Sequence, residues 1–372
     1  MPEKTIAEEL RRQGVSRREF LKIGGALAGA IGLMESPIRA LAKSVDPVER
    51  VVRALETKQR APVIWLEFQD CAGCSEAITR SQAPTLVDLV LNTLTIEYHE
   101  MLSAAAGFQV EEAKQAAMKK YAGAYMLVVE GSIPTADGGV YCTIGGRTAT
   151  DLLKEAAAGA AAIIATGNCA SFGGIPKASP NPTAARSVMA LVKDKPVINL
   201  PGCPAIPEVT TGVIAHYILF GVPELDSLKR PLAFYGNTIH DRCLRRPFYE
   251  AGKYAAAFDD EGARQGWCLY KLGCKGPTTY NACATIKWDA GLSFPVQSGH
   301  PCLGCSQPDF WDGGGFYQGQ PAPLSRPTVA AVAAAAGIGA AAGIGAAMLN
   351  RSQKKHPAAH TPADDGEGKE AK

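Results

Sequence analysis

Short apolar runs alternate with helical patterns of hydrophobic residues between residues 61 and 235, which predicts a parallel α/β sheet. The predicted strands cover residues 63–66, 125–129, 161–165 and 197–200, and the predicted helices cover residues 85–96, 111–120, 149–158 and 183–192. From about residue 232 this alternation stops, and Gly, Pro, Trp, Tyr and Cys become frequent. The pattern therefore predicts an α/β domain over residues 43–231 and a smaller, irregular domain over residues 232–326.

The N-terminal region has the pattern of an export signal. Residues 16–22, Ser-Arg-Arg-Glu-Phe-Leu-Lys, form a twin-arginine motif, an apolar stretch follows at 23–34, and the small residues Ala-Leu-Ala at 40–42 suit a cleavage site. We therefore predict that residues 1–42 are a signal peptide for the twin-arginine export machinery and that the mature chain begins near Lys43. This route carries folded proteins, so it suits a chain that must receive metal clusters before export.

Residues 327–350 contain no charged side chain and are numerous enough to cross a bilayer core of about 30 Å as a helix. Arg326 precedes this segment, whereas Arg351, Lys354 and Lys355 follow it, so the positive-inside rule places the C-terminal side in the cytoplasm. The sequence thus predicts a transmembrane helix over 327–350, a disordered cytoplasmic tail over 351–372, and a body on the periplasmic side of the cytoplasmic membrane. Because the segment is mostly Ala and Gly, a soluble helix or a linker is the alternative.

The composition argues against two classes of protein. The chain has 372 residues, 20% charged side chains and a formal net charge of +2, so it has no basic excess that would indicate nucleic-acid binding. Its length is sufficient to bury a core without disulfide bonds, which argues against a small disulfide-stapled scaffold.

Ten of the eleven cysteines and one histidine have the spacing of iron–sulfur ligands, which are usually thiolates. Cys71 and Cys74 follow the first predicted strand, Cys169 follows the third and Cys203 follows the fourth. Ligands of parallel sheets bind beyond the carboxyl ends of the strands, so these four cysteines are expected to converge. The other two groups are His240, Cys243, Cys268 and Cys274, and Cys283, Cys302 and Cys305. Together the ligands predict two 4Fe–4S clusters and one 3Fe–4S cluster.

Other roles for these cysteines are less favoured. Two C-x-x-C pairs also suit structural zinc, but the remaining cysteines are scattered along the chain and do not form a compact zinc knuckle. Disulfides are an alternative in an exported protein, although C-x-x-C pairs fit them poorly. Cys142 lies outside the scheme and is predicted to be a buried structural thiol.

Six motifs follow one another along the chain. They are Trp65-Leu66-x-x-Gln69-x-Cys71-x-Gly73-Cys74, Glu130-Gly131-Ser132-Ile133-Pro134, Gly167-x-Cys169-x-x-x-Gly173-Gly174-Ile175, Leu200-Pro201-Gly202-Cys203-Pro204, Gly273-Cys274-Lys275-Gly276-Pro277 and His300-Pro301-Cys302-Leu303-Gly304-Cys305. Over residues 62–316 the chain resembles the small subunit of NiFe hydrogenases. The resemblance implies a flavodoxin-like domain followed by a smaller cluster-binding domain.

The resemblance also implies a role for each ligand group. Cys71, Cys74, Cys169 and Cys203 would hold a proximal 4Fe–4S cluster, Cys283, Cys302 and Cys305 a medial 3Fe–4S cluster, and His240, Cys243, Cys268 and Cys274 a distal 4Fe–4S cluster. Pro295 occupies the place where some relatives have a fourth medial cysteine. Gly73 and Gly174 occupy the places where oxygen-tolerant relatives carry extra cysteines, which implies a standard, oxygen-sensitive proximal cluster.

The function implied by the resemblance is that of an electron-transfer subunit without catalytic residues of its own. The nickel-binding C-x-x-C motifs of the large subunit are absent, so H2 would be cleaved at a Ni–Fe site in a partner large subunit. Electrons would pass through the three clusters to a membrane acceptor, a cytochrome b or another quinone-linked membrane subunit. The alternative is an exported, ferredoxin-like electron carrier with no catalytic partner.

Overall fold

The computed structural model of the chain describes residues 4–32, 47–82 and 84–318. The strands are β1 (Ala61–Glu67), β2 (Leu94–His99), β3 (Met126–Glu130), β4 (Thr143–Ile144), β5 (Arg147–Thr148), β6 (Ala162–Thr166) and β7 (Val197–Leu200). The α-helices are α1 (Ile6–Arg12), α2 (Arg17–Gly32), α3 (Pro47–Thr57), α4 (Gly73–Ile78), α5 (Leu86–Asn92), α6 (Gly107–Lys120), α7 (Ala149–Gly159), α8 (Gly167–Phe172), α9 (Val188–Leu191), α10 (Pro207–Phe220), α11 (Leu232–Tyr235), α12 (Arg246–Glu250) and α13 (Glu261–Arg264).

A five-stranded parallel sheet in the order β2-β1-β3-β6-β7 forms the centre of the α/β part. All four predicted strands are present, and β7 has the predicted bounds. Successive residues of β3 alternate between two apolar clusters: Met126 and Val128 belong to one, and Leu127 and Val129 to the other. Both faces of the sheet are therefore covered, which is why its strands read as continuous apolar runs.

Two predicted helices differ from the structure. The helix predicted over 85–96 ends at Asn92, and the following residues form the edge strand β2. Thr95 and Ile96 are β-branched and favour a strand over a helix. In the region predicted as helix 183–192, only Val188–Leu191 is helical. Arg186 instead forms a backbone bridge with Ile133.

The sequence after α10 folds with little regular structure. Short α-helices and single 3₁₀ turns, at His240–Arg242, Tyr270–Leu272 and Gly276–Thr278, are joined by loops. Its apolar side chains, including Phe294 and Val296, belong to the same buried cluster as Leu200 and Ile206 of the α/β part. The segment that carries the two C-terminal ligand groups thus packs directly against the α/β part. The predicted domain boundary at 231/232 stays a prediction.

The prediction of a transmembrane helix as part of the fold is wrong. Within the described ranges, no helix is long and apolar enough to cross a membrane. The longest of those helices, α2, has 16 residues and contains Arg, Glu and Lys, whereas a membrane span needs about 20 mainly apolar residues. The segment for which the span was predicted, 327–350, lies outside the described residues, as does the tail 351–372.

The N-terminal helices pack on the α/β part in the unprocessed chain. Thr5 caps α1 through a capping box, Ile6 and Leu10 are fully buried, and the Ile6 N–H donates a hydrogen bond to the Lys58 carbonyl at 2.8 Å. Leu27 of α2 is also buried. The assignment of residues 1–42 as a signal peptide stays a prediction, and its cleavage site at 40–42 lies outside the described residues.

Candidate metal centres

The first ligand group assembles at the carboxyl edge of the sheet. Cys71 lies in the turn from β1 into α4, Cys74 lies in the first turn of α4, Cys169 lies in α8 directly after β6, and Cys203 follows β7. Burial raises the pKa of the Cys74 thiol well above its usual value, and negative charge on Glu130, Cys169 and Cys203 raises it further. The structure therefore brings these four cysteines together, as the strand order requires.

Two glycines leave room for the sulfurs of this group. Gly167 and Gly174 both have positive φ, +78° and +57°. A Cβ at Gly167 would lie 2.5 Å from the Cys74 Sγ, and a Cβ at Gly174 would lie 2.5 Å from the Cys169 Sγ and 2.8 Å from the Cys169 Cα. A side chain at either position would displace a ligand thiol unless the backbone moved. The space around the Cys74 and Cys169 sulfurs is therefore kept free of side chains, as a group bound by these sulfurs requires.

A buried acidic network supports Cys74. The Cys74 N–H donates to Glu130 at 2.9 Å, and the Ser75 Oγ lies 2.6 Å from both Glu130 and Glu67. His99 is 1% exposed and lies 3.3 Å from the same hydroxyl. Burial raises the pKa of Glu130 to about 7 and also raises that of Glu67. Since a hydroxyl has one proton, one of the two carboxyl groups must be protonated for both contacts to be hydrogen bonds.

The group formed by Cys283, Cys302 and Cys305, here the Cys283 group, lines a cavity of about 660 Å³. Pro295 and Cys203 line the same cavity. Burial raises the pKa of the Cys283 thiol well above its usual value, and the charges of Cys305 and Cys302 add to the effect. Three thiols therefore face one space.

The remaining group lines a separate and much smaller cavity. His240, Cys243, Cys268 and Cys274 surround a space of about 20 Å³. Burial raises the pKa of Cys268 to about 11, and the neighbouring charges of Cys274 and Cys243 contribute. The imidazole of His240 is half-buried and packs edge-on against Tyr249, with ring centres 4.6 Å apart. One imidazole and three thiols are thus brought together near the surface.

The three groups are neighbours in a row. Cys203 lines the same cavity as Cys283, Cys302 and Cys305, which links the first group to the Cys283 group. The Cys302 N–H donates to the Cys274 Sγ at 3.3 Å, which links the Cys283 group to the His240 group. The order in space is therefore first group, Cys283 group, His240 group, and it differs from the order along the chain.

The ligands within each group lie farther apart than one metal ion requires. Among the residues that the structure describes, no three Cys, His, Asp or Glu side chains converge closely enough to hold a single ion. A cluster places its thiolates around a metal–sulfide core, whereas structural zinc binds its four ligands directly.

Cys142, predicted to be a buried thiol, is half-buried, and burial raises its pKa to about 11.

Comparisons with known proteins agree over most of the chain. Residues 235–318 match the family described as the C-terminal part of the NiFe/NiFeSe hydrogenase small subunit, and residues 71–217 match the family described as NADH ubiquinone oxidoreductase, 20 Kd subunit. The uptake hydrogenase small subunit of Azotobacter vinelandii is 48% identical over 84% of this chain and 85% of its own length. That of Afipia carboxidovorans is 49% identical over 85% of this chain and 84% of its own.

A solved structure shows the same fold. The reduced, active form of the Ni-Fe-Se hydrogenase from Desulfomicrobium baculatum contains a chain that is 33% identical, with a TM-score of 0.67. The similarity covers 70% of the present chain and 100% of that one.

Proposed function

This chain belongs to the family of NiFe hydrogenase small subunits, and from that premise we propose which residues hold each of its iron–sulfur clusters. The protein is the electron-transfer subunit of a hydrogenase and pairs with a large subunit. When bound, the clusters accept and release single electrons. The residues of this chain determine where those electrons enter, in which order they move and where they leave.

We assign the proximal 4Fe–4S cluster to Cys71, Cys74, Cys169 and Cys203. Cys71 and Cys203 are exposed in the described structure, so this edge of the sheet is open to a partner. The large subunit, which would carry the Ni–Fe site, would pack against it. Glu130 holds the Cys74 backbone, and the two glycines keep the space around the sulfurs free of side chains.

The medial 3Fe–4S cluster is assigned to Cys283, Cys302 and Cys305, and the distal 4Fe–4S cluster to His240, Cys243, Cys268 and Cys274. The observation that carries this proposal is that the Cys283, Cys302 and Cys305 group has a neighbour on each side. It shares a cavity with Cys203, and the Cys302 N–H donates to the Cys274 Sγ. Electrons would enter at the first group and leave past His240. Because the chain belongs to the small-subunit family, we favour electron transfer from a large subunit over the alternative of a stand-alone ferredoxin-like carrier.

A substitution at Pro295 tests the medial assignment. In Pro295→Cys, a thiol is supplied to the cavity that the three medial cysteines line, so we expect the three-iron EPR signal of the oxidised protein to disappear and a four-iron cluster to form. Pro295→Ser removes the proline without adding a thiolate and should keep the three-iron signal. A three-iron signal that survives unchanged in Pro295→Cys would show that the medial site lies elsewhere.

We further propose that the precursor is exported by the twin-arginine route to the periplasmic side of the cytoplasmic membrane. A quinone-linked membrane subunit, such as a cytochrome b, would then accept the electrons. Arg17 and Arg18 are exposed in the described structure and so accessible to the export machinery. The acceptor subunit would bind near His240.

Replacing Arg17 and Arg18 by Lys tests the export route. The unprocessed precursor is expected to stay in the cytoplasm, because the route recognises the paired guanidinium groups. Arg11 and Arg12 form a second exposed arginine pair just upstream and provide a matched control. The double Lys substitution there should leave export unchanged. Cell fractionation with immunoblotting measures both, and normal processing of the Arg17/Arg18 variant would contradict the proposal.

A further inference from the structure

Arg245 is a buried cation beside the ligands that we assign to the distal cluster. Its side chain is 6% exposed, and its backbone N–H donates to the Cys243 Sγ at 3.4 Å. The guanidinium donates to three backbone carbonyls, from Nε to Val296 at 2.8 Å, from Nη1 to Trp267 at 2.8 Å and from Nη2 to Gln297 at 3.4 Å.

Its positive charge is not balanced by an acid in the described part of the chain. No ion pair there joins Arg245 to a carboxylate, whereas the other deeply buried arginine, Arg230, is paired with Asp226 at 2.8 Å. Backbone carbonyls satisfy the hydrogen bonds of a guanidinium but leave its net charge in place. A charge shielded from water acts over a longer range than one at the surface.

Arg245 lies directly beside the distal ligands. It lines the same small cavity as all four of them, and its Nη1 donates to the carbonyl of Trp267, the residue next to Cys268. The same charge would stabilise any added electron on a group held by these thiolates. Net charge and hydrogen bonding near the sulfurs are main determinants of cluster potentials.

We propose that Arg245 sets the reduction potential of the distal cluster, raising it by means of an uncompensated buried charge. The proposal rests on the distal ligand assignment made above. Arg245 is not a ligand of the cluster; its charge would act on the cluster from beside the ligating thiolates. By keeping the distal site easy to reduce, it would favour the flow of electrons outward from the medial site.

The test is an EPR-monitored redox titration of the purified large–small complex. Arg245→Gln should shift the distal midpoint potential to a more negative value, and Arg245→Lys, which keeps the charge, should leave it close to that of the wild type. Arg242 lies on the same turn but is exposed, so Arg242→Gln removes an equal charge in water and should shift the potential much less. An unshifted potential in Arg245→Gln, or equal shifts in the Gln and Lys variants, would overturn the proposal.

A second pair of variants leaves Arg245 in place in case its replacement prevents folding. A Cβ at Gly266 would lie 3.8 Å from the Arg245 Nη1, and the φ of +73° there is one that Asp and Asn tolerate. Gly266→Asp should neutralise the guanidinium and lower the potential, whereas the neutral Gly266→Asn should not. Equal potentials in these two variants would contradict the proposal. If the wild-type complex shows only one four-iron cluster, the ligand assignment itself fails and the proposal fails with it.

Discussion

Gly174→Ala is expected to remove the proximal cluster and with it almost all H2-dependent dye reduction. The added Cβ would lie 2.5 Å from the Cys169 Sγ and within 2.9 Å of the Cys169 Cα and N, so the ligand and its backbone must both move. The φ of +57° adds strain for a residue with a side chain. Because disturbing the support of a metal ligand typically lowers activity by about 10- to 100-fold, we expect a loss at the upper end of that range.

Gly123→Ala separates this steric effect from the backbone effect. Gly123 has a φ of +80°, but no heavy atom lies within 4 Å of its would-be Cβ. This variant should lose only about 1 kcal/mol of folding stability and retain its clusters. Iron analysis and EPR of both variants, alongside dye reduction, measure the difference. A Gly174→Ala protein with a normal proximal cluster would show that the four cysteines do not form the predicted site.

Exposure to air is expected to stop H2 oxidation by the complex. The family resemblance implies that extra thiolates beside a proximal cluster would stabilise a further oxidised state that helps to clear oxygen from the Ni–Fe site, since ligand identity sets the redox range of a cluster. This chain has Gly73 and Gly174 at the places that such thiolates would occupy, so it lacks them. We therefore expect the complex to be sensitive to oxygen.

Film voltammetry measures this directly. The electrode current under H2 is followed while a small pulse of O2 is injected, and we expect the current to fall to near zero during the pulse. The same experiment with an N2 pulse controls for dilution of H2. Sustained current through the O2 pulse would contradict the assignment of a standard proximal cluster.

Much of the sheet could be predicted because its strands are buried on both faces. The apolar runs of β1, β3, β6 and β7 are continuous and stand out from the helices between them. The edge strand β2 was missed because its residues follow a helix without a turn signal, and its pairing with β1 is a tertiary effect. Helix α9 is shorter than the predicted helix over 183–192 for a similar reason. The backbone bridge between Ile133 and Arg186, also a tertiary contact, holds the residues before α9 in a non-helical conformation.

The ligand groups were visible in the sequence because cysteine spacing and strand ends restrict where thiols can meet. Their order in space follows from the family resemblance and not from the spacing, because it depends on contacts such as that of Cys302 with Cys274, which join distant segments. Glu67 and Glu130 lie at the ends of strands, but their burial, like that of Arg245, does not follow from the sequence, since charged residues are usually exposed. The polar residues that adjust a site are therefore found only once the fold is known.

Eleven side chains of this subunit are proposed to hold three clusters, and the cluster content of the complex tests that proposal most directly. Mössbauer and EPR spectroscopy of the oxidised protein resolve cluster types and count the iron in each. We predict about eleven cluster irons per small subunit, divided between two four-iron clusters and one three-iron cluster that gives an EPR signal. A protein with fewer clusters, with three four-iron clusters, or with zinc bound to these cysteines would contradict it.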